Sequence, residues 1–149
     1  MRNDCLFCAI IDGEVEGFKV YEDDLFLVIL DRFPKCVGHT LIMPKRHAVH
    51  IFDLNDKECA HLFPLTQKIS AVLQEILGFS GLNLLQNNGP DAGQEIGHFH
   101  LHLVPRFEDD AMSIQYRREN PSQEQLQEMS EKIAQKITQK IDNNGKALK

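Results

Sequence analysis

The stretch His98-Phe99-His100-Leu101-His102-Leu103-Val104 decides how this chain is read. Histidine alternates with Phe, Leu and Leu, and a period of two is the spacing of a β-strand. Successive strand side chains point to opposite faces. The three imidazoles are therefore expected on one face, with Phe99, Leu101 and Leu103 buried on the other. At a rise of about 3.3 Å per residue, neighbouring histidines should lie roughly 6–7 Å apart. Three such rings make a poor core. The pattern leaves open a solvated sheet face, three ligands of one metal, or a site for an anion.

The residues upstream favour the anion. Asn87-Asn88-Gly89-Pro90-Asp91-Ala92-Gly93-Gln94-Glu95-Ile96-Gly97 is a polar, glycine-bearing loop leading into the strand. Glycine lets such a loop bring backbone N–H groups up to a phosphate. Amide donors beside a row of imidazoles describe a phosphate site with a nucleophile attached.

Composition bounds the rest. A chain of 149 residues, 42% apolar and 26% charged, is expected to form one globular domain with a core of its own. A net charge of −6 provides no basic footprint for nucleic acid. No apolar run reaches membrane-spanning length. Met1-Arg2-Asn3-Asp4-Cys5 lacks the charged-then-apolar pattern of a secretion signal, so the expected compartment is the cytoplasm. The four cysteines do not suggest a disulfide framework. Cys36 and Cys59 read as small apolar residues without a role. Cys5-x-x-Cys8 reads as a redox pair, as two core cysteines, or as half of a zinc site. Nothing before Cys5 could form the strand that a thioredoxin-like pair follows.

The remaining elements follow from pattern. Residues 5–11 predict a short helix capped by Asn3 or Asp4 and ended by Gly13. Phe18–Glu22 and Leu25–Asp31 predict a hairpin joined by Glu-Asp-Asp, and His39–Met43 a third strand ended by Pro44. Asn55 with Glu58 forms a capping-box pair opening a long helix. Its apolar stripe is Leu62, Leu65, Ile69, Val72, Leu73 and Ile76, and it stops at Gly78 and Gly81. Pro64 inside it predicts a kink or a delayed start. Leu82–Gln86 and Phe99–Val104 predict the fourth and fifth strands. Together these make an α+β domain, an antiparallel five-stranded sheet with one long helix packed on it. A C-terminal helix is expected at about 121–141, with Leu126, Met129, Ile133, Ile137 and Ile141 on one stripe, before a frayed end over 142–149. His50 and His61 read as surface or helix-face residues without a metal role.

With Asn87, Gly93, Gln94, His98, His100, His102, Pro105 and Arg106 in this order, the chain resembles the histidine-triad (HIT) family of nucleotide-binding and nucleotide-hydrolysing proteins. The resemblance spans roughly residues 4–106. It implies a single domain over 1–149, of which 107–149 is an extension. It also implies a homodimer joined through the long helix and a sheet edge. The implied substrate is a purine nucleotide (AMP or GMP) conjugate. His100 is the implied nucleophile, forming a covalent nucleotidyl-imidazole at the α-phosphorus, which water then cleaves to the nucleoside monophosphate. His102 is implied as a donor to phosphate oxygens, with His98 and His39 completing the histidine cluster.

Asp31 matches the family's ribose-binding carboxylate. Leu6, Phe7, Ile10 and Ile29 match the base slot. Asn87, Gly93 and Gln94, with Glu95 and Ile96, match the ribose and phosphate contacts. Bacterial members imply a structural, four-coordinate zinc on Cys5, Cys8, His47 and His98. Two departures stand out: Glu95 where the phosphoramidase branch has Ser and the diadenosine-polyphosphate branch Thr, and Arg32 in place of an apolar residue. His102 stands where the related uridylyltransferases have Gln, which favours hydrolysis over transfer. The alternatives are a dinucleoside polyphosphate hydrolase, and a nucleotide-binding adaptor with weak catalysis.

Overall fold

The structure, a computed structural model, describes residues 4–108, 110 and 119–144, with side chains as far as residue 140. The chain divides into two compact units, Met1–Met112 and Ser113–Lys149. In the first, a helix α1 (Leu6–Ile11) precedes strands β1 (Phe18–Glu22), β2 (Phe26–Leu30) and β3 (Thr40–Pro44). The long helix α2 (Asp56–Leu77), β4 (Gly81–Leu85) and β5 (Leu101–Arg106) follow. The five strands form one sheet in the order β1-β2-β3-β5-β4, every neighbouring pair antiparallel. The expected α+β architecture is the one observed.

Strand alternation gives the sheet two cores. Phe26, Val28, Ile42, Phe99, Leu101 and Leu103 face α2 and bury Leu62, Leu65 and Leu73. Leu27, Ile29, Leu41 and Met43 face the other way and bury Phe7 of α1. The central strand β2, Phe-Leu-Val-Ile-Leu, is covered on both faces, which is why it reads as a continuous apolar run. Edge strand β1 is exposed throughout.

The helix signals are met locally. The Asn55 side chain accepts from the N–H groups of Lys57 and Glu58, and a Glu58 carboxylate oxygen accepts from the Asn55 N–H at 2.9 Å. Gly78 adopts φ +64° and closes α2 through its N–H to the Gln74 carbonyl. Gly81 is not a stop; it opens β4. Pro64 does not delay or interrupt α2, which is helical from Asp56 to Leu77. Pro64 and Ala60 are both exposed, so solvent can hydrate the carbonyl that proline leaves without a donor. Val72 and Ile76, expected in the buried stripe, are 52% and 71% exposed.

The fifth strand begins at Leu101, later than the alternation suggests. The position facing Phe99 on β3 is Pro44, which has no N–H to give, and its carbonyl accepts from the His98 ring at 2.8 Å. Phe99 instead donates its N–H to the Ala48 carbonyl at 2.6 Å. The cap of α1 is Cys5, without a side-chain bond, in place of Asp4; Asn3 lies outside the described residues. His61 is more than a surface residue. Its Nε2 lies 2.7 Å from Asp23 Oδ2, while Asp23 Oδ1 accepts the N–H groups of Leu25 and Phe26 to form the β1–β2 turn.

Glu58 is a buried polar group that ties the start of α2 to Arg46. It is 2% exposed, and its carboxylate accepts from Arg46 Nε and Nη2 at 3.0 and 2.7 Å as well as from Asn55 N–H. Burial pushes its pKa up, but Arg46 and that N–H outweigh burial and hold it below the usual range. Glu58→Ala is expected to cost about 2–4 kcal/mol in urea denaturation, through loss of the cap and of a buried charge-assisted pair.

The second unit contains a helix α3 (Gln123–Asn144). Ser122 Oγ accepts from the Gln125 N–H, and the Gln125 side chain returns the bond to Ser122 N–H. Leu126, Met129, Ile133 and Ile137 form its stripe and are each at least half exposed. The side chain of Ile141 and the end over 145–149 lie outside the described residues. No helix among the described residues is long and apolar enough to cross a membrane.

Candidate functional site

Register and alternation assemble the site before any loop contributes. Asp31 follows β2 and its N–H bonds the carbonyl of His39, which precedes β3. Leu41 pairs with His102 across β3 and β5. Asp31, His39, His102 and His100 therefore share the face that α1 covers. Over them opens a cleft of about 640 Å³. Leu6, Phe7, Ile10, Phe18, Ile29 and Ile96 line its apolar end. Asp31, His39, His100, His102, Asn87 and Glu95 line the polar end, with Gly93 beside them.

The protonated nitrogen of His100 follows from its partner. His100 is 8% exposed, and its Nδ1 lies 2.7 Å from the His98 carbonyl oxygen. A carbonyl only accepts, so Nδ1 carries the proton and Nε2 keeps its lone pair. Burial lowers the His100 pKa, against weaker opposition from that bond and from Asp31 and Glu95. The ring is neutral at pH 7. Phe7 packs edge-on against it at 5.0 Å between centroids.

His102 is the next ring, 4.7 Å from His100 rather than the wider spacing the strand rise suggests. Its Nδ1 lies 2.9 Å from His39 Nε2. Burial, then the neighbouring His100 and His39, pushes its pKa down to about 4. Burial also lowers that of His39, which is 1% exposed. Asp31 Oδ1 accepts the Phe33 N–H at 2.8 Å, and Oδ2 lies 3.3 Å from His39 Nδ1.

The 87–97 loop is held open from within. Gly89 and Gly93 adopt φ +87° and +79°, where a side chain is strained. Gln94, expected to contact a ligand, uses its polar atoms on the loop itself. Its Oε1 accepts from Gly89 N–H at 2.7 Å, and its Nε2 donates to the Val49 and Ile96 carbonyls at 2.8 and 3.1 Å. It does not line the cleft. Asn87 Nδ2 donates to the Gly93 carbonyl, also bracing the loop.

His98 turns its ring elsewhere. It is fully buried and lies outside the cleft lining. Its Nε2 donates to Pro44 O, leaving the Nδ1 lone pair facing the thiols of Cys5 and Cys8, each at 3.5 Å. Cys8 Sγ also lies 3.3 Å from His47 Nδ1. A tetrahedral zinc with Zn–S of about 2.3 Å and Zn–N of about 2.0–2.1 Å requires S···N edges of about 3.5 Å. The four donors lie within 4.8 Å of one another, and the His98–Pro44 bond is the outer-shell contact that orients a metal-binding imidazole. The donor set fits zinc. The other such grouping among the described residues is Asp31, His39 and His102. Three triad histidines on one metal is therefore not the arrangement formed.

Sequence reasoning did not find Phe33 and Lys35 of the β2–β3 loop, or Glu16 before β1, all of which line the cleft. Only topology brings them there.

A family model described as HIT domain matches residues 12–109. The chain belongs to the HIT domain family. An adenosine 5′-monophosphoramidase of Schizosaccharomyces pombe is 38% identical over 68% of this HIT chain and 74% of its own. An adenylylsulfatase of Arabidopsis thaliana is 42% identical over 75% of this chain and 57% of its own length. A Zn-bound histidine triad family protein from Mycobacterium smegmatis superposes with a TM-score of 0.71 at 35% identity, covering 93% of this chain and 99% of that one.

Proposed function

We propose that this HIT protein hydrolyses a purine nucleotide conjugate (of AMP or GMP) at the α-phosphorus through a covalent nucleotidyl-His100, releasing the nucleoside monophosphate. The observation that carries this is the His100 Nδ1–His98 carbonyl bond, which leaves a neutral Nε2 lone pair on a cleft-lining ring. Nε2 attacks phosphorus, the bond to the leaving group breaks, and the leaving group takes the electron pair and a proton. Water then attacks phosphorus and gives up a proton that replaces the one taken by the leaving group, the P–N bond to His100 breaks, and the ring recovers its lone pair. His102 donates to the non-bridging oxygens, His39 orients it, and loop amides near Ile96 stabilise developing charge. Asp31 accepts from the ribose hydroxyls, and Leu6, Phe7, Ile10 and Ile29 hold the base. Asn87, Gly93 and Gln94 shape the loop, and Glu95 faces the leaving group. The phosphoramidase and adenylylsulfatase names of two relatives support a small leaving group on an adenylyl moiety.

Zinc on Cys5, Cys8, His47 and His98 is structural in this reading, since four protein ligands leave no open position. The single domain spans the chain, with 107–149 as an extension, and acts in the cytoplasm. It acts as a homodimer through α2 and the β4 edge, where exposed Val72, Ile76 and Leu84 support an apolar contact. The test is trapping. Protein incubated with adenosine 5′-phosphoramidate is quenched in alkaline denaturant, since acid cleaves a phosphorus–imidazole bond. It should gain one adenylyl group, mapped by peptide mass spectrometry at neutral to alkaline pH to His100. Adenylylation at another residue would remove His100 from the nucleophile's role, and turnover with no adduct in rapid-quench samples would reject the covalent route.

A further inference from the structure

His39 Nδ1 has two neighbours that make opposite demands on it. The Lys35 N–H, 3.2 Å away, needs a lone pair there; Asp31 Oδ2, 3.3 Å away, needs a proton. The other nitrogen of the same ring meets His102 Nδ1 at 2.9 Å, and only one of those two nitrogens can be the donor. Two hydrogen-bond chains follow. With the Lys35 bond made, neutral His39 donates from Nε2 and His102 presents a fixed N–H to the cleft. With the Asp31 bond made, His39 Nε2 is free to accept, His102 donates from Nδ1, and the His102 Nε2 lone pair faces the cleft.

We propose that Asp31 is a positioning residue for proton transfer: by holding the Nδ1–H of His39 it turns His102 from a fixed donor into an acid–base group. This couples the hold on the ribose to the departure of the leaving group. The inference rests on the nucleotidyl-transfer reading above and extends it to the leaving group. One added proton on the pair gives His39 Nδ1–H to Asp31, His39 Nε2–H to His102 Nδ1, and His102 Nε2–H to the substrate. As the bond to phosphorus breaks, the Nε2 proton passes to the leaving group and the His39 Nε2 proton moves to His102 Nδ1. The pair ends neutral, in the second chain, with the His102 Nε2 lone pair ready to take a proton from the attacking water. That proton restores the starting state, so the cycle balances.

The groups facing the pair are Asp31 just after β2, Lys35 from the β2–β3 loop and His100 just before β5; Glu95 acts on His100. Asp31 favours a cationic pair, whereas Lys35 and His100 oppose it. Burial keeps the pair neutral in an empty cleft, and a bound phosphate anion shifts the balance toward the added proton. Ribose hydroxyls donating to Asp31 draw charge away from His39 and make the pair a stronger acid.

Asp31→Asn tests this on two adenosine 5′-phosphate derivatives, one with an alkylamine leaving group that must be protonated and one a 4-nitrophenyl ester that departs without a proton. KM should rise on both through loss of the ribose contact. The kcat for the amine should fall about 10²–10³-fold, at least ten-fold more than for the ester. A second measurement needs no variant: with the unaltered protein, 2′,3′-dideoxyribose in place of ribose should lower kcat for the amine at least three-fold more than for the ester. Equal loss on both leaving groups, in the variant and with the dideoxy substrates, would overturn the proposal while leaving the nucleotidyl route intact. If the unaltered protein turns over neither derivative, the route itself fails.

Discussion

His100→Ala should lower kcat by at least about 10⁴-fold while nucleoside monophosphate still binds within several-fold of its original affinity. The two halves have separate physical sources. In the proposed route alanine removes the atom that forms the nitrogen–phosphorus bond, and the neighbouring cleft-lining rings His39 and His102 are bonded to each other. In the proposed reading, binding draws on parts that the substitution leaves in place: the apolar end of the cleft, the Asp31 carboxylate and the amides of the 87–97 loop. Loss of the ring also removes its bond to the His98 carbonyl and strips Phe7 of an edge contact, so a stability cost of about 1–3 kcal/mol is expected. Stopped-flow turnover, calorimetric titration with AMP and a thermal melt separate the three effects. Turnover within ten-fold of the unaltered protein would remove His100 from the nucleophile's role. A collapse of AMP binding in a variant that still folds would show that the ring mainly holds ligand.

Much of this was legible because alternation survives folding. A period of two placed Phe99, Leu101 and Leu103 against one layer and the histidines against the other, and the structure keeps both placements. Asn55 and Glu58 announced a helix start three residues apart, and their reciprocal bonds are present. What alternation could not reveal was how each ring spends its nitrogens. His98 looks equivalent to His100 in the pattern, yet one ring serves the thiols and the other the cleft. The difference arises from Pro44, a residue 54 positions away that accepts the His98 proton. The same limit hid Lys35, whose importance lies in a backbone N–H aimed at His39. The bonds of Gln94 were hidden for a related reason: a polar side chain in a polar loop gives no sign of which backbone groups it holds.

The second large effect concerns the metal. Cys8→Ala should abolish stoichiometric zinc and lower stability by about 3 kcal/mol or more, a part of the roughly 10–16 kcal/mol that structural zinc contributes in small peptides. The smaller share is expected because the sheet and α2 bury a core that does not depend on the site. Cys8 is the informative ligand. It is 2% exposed and its sulfur lies within 3.5 Å of both His47 and His98, so alanine empties the centre of the cluster.

Without metal the cluster must find other partners for two imidazoles and one thiol in a buried corner. The consequences run toward catalysis through a single residue. The ring of His98 belongs to the donor cluster with Cys5, Cys8 and His47, and its carbonyl orients His100, so loosening the first relaxes the second. A thermal shift of roughly 10 °C should therefore accompany a kcat loss smaller than 10²-fold at a temperature where the variant is folded. Mass-spectrometric metal analysis of freshly purified native protein, before any chelator, should give one zinc per chain. Absence of zinc there, or a Cys8→Ala variant with unchanged melting and unchanged turnover, would mean that these four donors pack as an ordinary core.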